Sequence, residues 1–218
     1  MDVPILTLDG PSGAGKGTVS RLIAKQLGWN YLDSGAIYRA LALEITEKKI
    51  LQDNISEIVK VALAMDLHFE CGDDRLVKLN GKDVTNLLGL ENTGNIASKI
   101  ATISEVRAAL LQKQRDFKQS SGLVADGRDM GTIVFPDAKY KVFLTASALT
   151  RAERRYKQLK QKGIDANLLK ITADIQERDQ RDSERQFAPL VPAVDAVYID
   201  SSTMSIQSVV AEVLSLVH

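Results

Sequence analysis

The sequence predicts an α/β fold: a parallel sheet with helices on both faces, a small antiparallel β insert and an arginine-rich helical region. Three observations predict it. Short apolar runs alternate with amphipathic helical patterns, as a parallel sheet covered on both faces requires. A glycine-rich turn joins the first apolar run directly to a helix. Apolar–polar alternation flanks an Asn-Gly pair in mid-chain, the preferred two-residue hairpin turn.

The first strand is the apolar run Ile5-Leu6-Thr7-Leu8. A helix is expected from Lys16 to about Leu27, with Val19, Leu22, Ile23 and Leu27 on its buried face and Gly28 as C-cap. A strand from Trp29 to Leu32 follows, then a helix capped by Ser34 that buries Ile37, Tyr38, Leu41 and Ile45. A third helix covers about Ile55 to Met65. The β insert is expected over about 67–88, with strands around Leu67–Glu70, Leu76–Leu79 and Lys82–Thr85. Helices are expected at about Asn92–Ala101 and from Ser104 to about Gln119.

Leu123–Asp126, Lys141–Thr145 and Ala196–Asp200 read as further buried strands. Between the last two lie helices at about Ser147–Lys162 and Asn167–Gln186, the expected lid region of 147–186. The chain closes on a helix with a stripe of Ile206, Val209, Val210, Val213, Leu214 and Val217, capped by Ser205 and stapled by Met204. One domain over 1–218 is the expected organisation.

The glycine-rich turn is Gly10-Pro11-Ser12-Gly13-Ala14-Gly15-Lys16-Gly17-Thr18. Glycines let backbone N–H groups approach an anion closely, the helix start adds positive potential, and Lys16 can reach outer phosphates. The stretch fits the phosphate-cradle pattern G-x-x-x-x-G-K-[ST] except at one position. Gly17 stands where the magnesium-binding hydroxyl belongs, and Thr18 follows one residue later. Magnesium carried by a nucleoside triphosphate is therefore expected near Thr18, reached through water.

Composition narrows the rest. The net charge is zero over 28 basic and 28 acidic residues, which argues against bulk nucleic-acid binding. No apolar run is long enough for a membrane span. Cys71 is the single cysteine, so neither an intrachain disulfide nor a cysteine metal site is expected, and it reads as a small buried or half-buried hydrophobe. The first strand begins too early for a signal peptide, and a cytoplasmic location is expected. Six of the 12 arginines fall between Arg151 and Arg185, which suits a small anionic ligand, although interleaved acids would also fit a solvated helix face.

Three groups point to the acceptor. Asp33-Ser34-Gly35 with Arg39 sets a hydroxyl and a guanidinium at a helix start. Gly127-Arg128-Asp129 ends a strand. Arg178, Arg181 and Arg185 share one expected helix face, with Asp182 beside them. Converging arginines suit an oxyanion. The two histidines, His68 and His218, read as surface residues.

GPSGAGKGT, LDSGAIYRA, ADGRDMGTIVFPDA and ERDQRDSER followed by PLVPA resemble the bacterial cytidylate kinases, in the same order and over essentially the whole chain. The β insert is similar to the nucleoside-side addition that marks this bacterial type. The resemblance implies a P-loop kinase that moves the γ-phosphate of ATP, with Mg²⁺, to CMP or dCMP. It implies that Ser98, Arg107 and Asp129 read the cytosine, that Arg39, Arg128 and Arg185 hold its phosphate, and that Arg178 and Asp182 contact the ribose with Ser34 nearby. Lys16 is expected on the donor side, and Arg155 and Arg181 as the lid arginines that touch the transferring group. A monomer without nucleic-acid or membrane partners is expected. The rivals are a P-loop kinase for UMP, AMP or shikimate, and a nucleotide switch without transfer. The chain shows no evident Asn-Lys-x-Asp base-reading motif of the switch proteins.

Overall fold

The computed structural model describes residues 3–71, 75–161 and 163–217, and of Glu70, Cys71 and Arg75 the backbone only. The side chain of Cys71 and the whole of His218 therefore lie outside the described residues. In chain order the elements are β1 (Ile5–Asp9), α1 (Lys16–Leu27), β2 (Asn30–Asp33), α2 (Ser34–Glu47) and α3 (Ile55–Ala64). Next come β3 (Leu67–Cys71), β4 (Arg75–Leu79), β5 (Lys82–Asp83), α4 (Thr85–Leu88), α5 (Glu91–Ile100) and α6 (Ser104–Arg115). β6 (Leu123–Gly127) leads into a π-helical turn at Met130–Val134. The chain ends with β7 (Tyr140–Thr145), α7 (Ala148–Gln161), α8 (Leu168–Ser183), β8 (Val197–Asp200) and α9 (Ile206–Leu214).

Five strands form one parallel sheet in the order β2-β6-β1-β7-β8. Its inner strands are mostly apolar because both faces are covered. Ile5, Leu123 and Ala125 pack on one side with α2, α3, α5 and α6, whereas Leu6, Leu8, Val124 and Val142 pack on the other with α1 and α9. The register sets Asp33 of β2 beside Asp126 of β6, and Asp9 of β1 beside Gly127. Three carboxylates thus meet at the carboxyl edge of the sheet, where ligands of open α/β sheets gather.

The insert is a second, antiparallel sheet of order β3-β4-β5. Asn80 and Gly81 both take positive φ, 49° and 79°, as a type I′ hairpin turn demands. Its third strand is only two residues long, and Thr85–Leu88 turns helical instead of extending it. Asp83 explains the stop, because its carboxylate accepts from the Thr85 N–H and hydroxyl and so bends the chain.

Other boundaries shift for local reasons. Asp33, not Ser34, caps α2, accepting from the Ala36 N–H at 2.9 Å. Leu22 and Ile206 are exposed at 41% and 46%, so the buried stripes of α1 and α9 are narrower than expected. Gly28 does close α1 in a left-handed conformation, and Ser205 caps α9.

Gly10 holds the sheet to the loop. Its φ is 145°, and a Cβ there would lie 1.9 Å from the Leu144 carbonyl oxygen of β7. Gly10→Ala is expected to destabilise the fold by about 3 kcal/mol or more, since neither backbone can move without breaking sheet pairing. A urea denaturation midpoint equal to that of the parent would show that the sheet edge yields.

Candidate active site

The loop after β1 is built to present backbone N–H groups. Gly13 and Gly15 take φ of 80° and 98°, and Gly15 starts α1 without any side-chain cap, leaving first-turn donors for a ligand. Lys16 is buried, and its Nζ donates to the Gly10 and Pro11 carbonyls at 2.8 and 2.9 Å. Burial lowers its pKa well below the ordinary lysine value, and Arg128 adds to the effect against the pull of Asp126 and Asp9.

Two arginines of α7 brace the loop from outside. Arg151 is buried; it donates to the Ser12 and Ala146 carbonyls and makes a bidentate pair with Asp179 of α8 at 3.0 and 2.6 Å. Its stem lies 3.2 Å from where a Cβ of Gly13 would stand, so the arginine and the glycine fit each other. Arg154 donates to the carbonyls of Ser201 and Ala14. Arg155, one residue on, is half-buried and forms no hydrogen bond or ion pair among the described residues.

Asp126 ends the apolar run of β6 and faces α1. The Tyr31 hydroxyl donates to it at 2.5 Å, and its Oδ2 lies 3.5 Å from the Cβ position of Gly17. Burial raises its pKa, helped by Asp33 and opposed by Lys16. The carboxylate thus fills the direction in which the phosphate-loop pattern expects a hydroxyl.

A cleft opens beside this edge, lined by Ser34, Tyr38, Arg39, Ser98, Arg107, Arg128, Asp129, Arg178 and Arg185. α2 brings Ser34, Tyr38 and Arg39; α5 brings Ser98; α6 brings Arg107. The turn after β6 brings Arg128 and Asp129, and the end of α8 brings the last arginines. Asp182 lies just behind them, only 1% exposed. Arg128 Nε donates to it at 2.9 Å, Arg185 donates closely, and Arg178 stands at 4.0 Å. Burial alone would raise the Asp182 carboxyl, yet these arginines hold it down to about 2. Burial and the neighbouring Arg128 lower Arg178 to about 9.

The three arginines of α8 do not share one face. α8 ends at Ser183, so Arg185 lies beyond the helix and folds back on Asp182. Arg181 turns away, pairing with Glu177 and donating to Ser98 Oγ at 3.2 Å. Arg107 donates to Asp129, whose carboxyl burial nevertheless raises. Arg39 donates to the Leu88 carbonyl at 2.6 Å, in room left by Gly94, whose Cβ would meet the guanidinium at 2.9 Å. Ser34 donates to Gln114 at 2.7 Å.

A larger cavity of about 590 Å³ lies between β3 and α6, lined by Trp29, Phe69, Phe117, Asp66 and Lys113 among others. None of the converging arginines line it, so its volume does not make it the anion site. His68 is exposed on this side and pairs with Asp66.

Residues 6–218 match the family model for cytidylate kinase. The chain belongs to the cytidylate kinase family. It is 54% identical to a cytidylate kinase of Methylococcus capsulatus, over 99% of this chain and 97% of that one. It is 51% identical to one from Colwellia psychrerythraea, over 97% and 94%. A Marinomonas cytidylate kinase is 53% identical over 95% and 92%. The protein is accordingly an ATP-dependent kinase. No helix among its described residues is long and apolar enough to cross a membrane.

In this kinase several residues of the candidate site carry no obvious mark in the sequence. Asp9 and Asp126 are carboxylates at the ends of otherwise apolar strands, which was the available signal. Tyr38 reads as core, but its buried hydroxyl finds no partner among the described residues and sits in the cleft wall. Arg151 reads as part of a lid, whereas it underpins the loop.

Proposed function

We propose that this chain transfers the γ-phosphate of ATP to CMP or dCMP, giving ADP and CDP or dCDP. The observation that carries the reading is the convergence of Ser98, Arg107 and Asp129 with Arg39, Arg128, Arg178 and Arg185 around one cleft beside the phosphate loop. The Nε–H groups of Arg178 and Arg185 are buried without hydrogen-bond partners among the described residues. A bound phosphate would satisfy such donors and relieve the crowded positive charge.

The acceptor phosphate is its own nucleophile. Its second pKa lies near about 6, so at neutral pH it is largely dianionic and no general base is required. Arg128 and Arg185 would fix its oxygens, and Arg39 would close the far side. Lys16 would leave the Gly10 and Pro11 carbonyls for the outer phosphates of ATP. The loop amides would hold the remaining oxygens, so that two anions align for in-line transfer. At about 50 Å³ the cleft is narrower than a nucleotide, with Arg181 drawn across to Ser98. Entry therefore asks α8 to swing outward. Return of Arg181, with Arg155 beside the loop, would then screen the transferring group from water.

No cluster of three metal-binding side chains occurs among the described residues. The donor set does fit Mg²⁺ carried by ATP, which is ordinarily held by one or two carboxylates together with phosphates. Asp126 would hold it, with Thr18 near, and the ion would supply positive charge to offset the negative charge of the phosphates.

Asp129 and Ser98 would accept from the cytosine 4-amino group, and Arg107 would donate to N3 and O2. Uracil would turn a carbonyl onto the Asp129 carboxylate. Arg178 would meet the ribose, with Asp182 aligning the arginines behind it. A monomer working in the cytoplasm is part of this reading.

Initial rates of ADP formation with CMP, dCMP, UMP, AMP and no acceptor test it. Fast turnover with the two cytidine nucleotides and little otherwise is expected; equal rates with UMP would refute the base assignment. Asp129→Ala is expected to lower the CMP-to-UMP ratio of kcat/KM by ten- to a hundredfold, from the loss of a matched buried acceptor. An unchanged ratio would remove Asp129 from base reading.

A further inference from the structure

We propose that Asp9 is a positioning residue for acceptor-base selection: it caps, from the donor strand, the turn that carries Asp129, so that the Asp129 carboxylate is not drawn onto its own turn and stays paired with Arg107 at the cleft. The proposal rests on the reading of Asp129 as the group that meets the cytosine amino group.

Asp129 stands at the N-terminal boundary of the turn Met130–Val134, with φ −147° and ψ 25°. An aspartate there ordinarily folds its carboxylate back onto the first free N–H groups of its own turn. Asp129 makes no such bond and pairs with Arg107 instead. The donors it would have served are served from elsewhere. The Met130 N–H donates to Asp9 Oδ1 and the Gly131 N–H to Asp9 Oδ2, both at 2.8 Å. Each Asp9 oxygen therefore takes one backbone donor.

The contact joins residues 121 and 122 positions apart. Asp9 is the last residue of β1, and Gly10 opens the phosphate loop immediately after it. One side chain thereby ties the loop expected to hold the donor to the turn expected to read the acceptor. Its burial, with 4% exposure, removes competing water. Desolvation raises its pKa to about 6 against the two N–H bonds, so the carboxylate is held there by those bonds. Gly131 completes the fit: a Cβ there would stand 2.9 Å from Thr7 Oγ1 and 3.4 Å from Asp9 Oδ2.

Asp9→Asn keeps the shape and spoils the pattern. An amide offers one oxygen, and its NH₂ would face a backbone N–H. One cap bond is lost, and Asp129 gains reason to turn back onto its own turn. The expected result is a fall of about tenfold in the CMP-to-UMP ratio of kcat/KM. Damage to ATP binding cancels in this ratio, because the donor is common to both reactions. A merely structural role would lower both rates and leave the ratio alone.

The experiment compares the parent enzyme, Asp9→Asn, Asp129→Ala and the double variant. A lower ratio in Asp9→Asn, with no further fall when it is added to Asp129→Ala, supports the proposal. A lower ratio in Asp129→Ala with a parental ratio in Asp9→Asn overturns the proposal and leaves the base reading intact. A parental ratio in Asp129→Ala overturns both. If Asp9→Asn does not fold, Gly131→Ala tests the same turn from its other side. A lowered ratio there again supports the proposal, and a parental ratio overturns it.

Discussion

Lys16→Ala lowers turnover by two to three orders of magnitude with every acceptor, by analogy with deleting one preorganised donor from a site of developing charge. The equal loss across acceptors is the distinguishing part. Lys16 sits under the phosphate loop and touches no residue assigned to the base. Initial rates with CMP, dCMP and UMP would all fall, with their ratios preserved. The same substitution should leave thermal stability equal or raised. Burial pulls the Lys16 pKa down, so at neutral pH the folded state carries an amine that is costly to charge. Its two carbonyl partners belong to the loop itself and lose only local bonds. A lower melting temperature would assign Lys16 to holding the loop together. A change in acceptor ratio would assign it to the acceptor cleft.

Much of the fold was legible because local rules and tertiary packing agreed. The inner strands are mostly apolar, which in a chain of alternating helices signals a sheet covered on both faces. Gly28 and Asn80-Gly81 mark a helix end and a hairpin by backbone conformation alone, and both are found there. The less legible parts are those set by long-range contacts. Nothing local in Met130–Val134 announces a π-helical turn, because its first donors are satisfied by Asp9, far away in sequence. Arg151 sits in a helix rich in charge and reads as part of a lid, yet the Ser12 carbonyl and Asp179 draw it into the interior. Arg185 fits a helical spacing with Arg178, but the helix ends before it. Of the residues that the family resemblance singles out for the acceptor, all but Asp182 line one cleft. Which arginine faces Asp182 and which faces Ser98 is set by contacts between distant parts of the chain, which no local pattern encodes.

Asp182→Asn is expected to cost about 3 kcal/mol of stability at neutral pH, because it leaves Arg128, Arg178 and Arg185 facing one another without the charge that holds them. The sign of the pH dependence follows from the depressed carboxyl. Its folded pKa of about 2 lies below the ordinary aspartate value of 3.8, so ionisation stabilises the fold above about pH 4. That contribution is lost as pH falls from about 4 through 2. Urea denaturation of parent and variant should therefore show the widest gap near pH 7 and a narrowing gap below pH 4. A gap independent of pH would mean that Asp182 acts through shape alone. The same arginine cluster ties stability to function. A phosphate bound among these arginines would replace part of the missing negative charge. CMP should then bind Asp182→Asn more tightly than the parent and raise its melting temperature by more. Equal or smaller stabilisation of the variant would separate the Asp182 cluster from the acceptor phosphate.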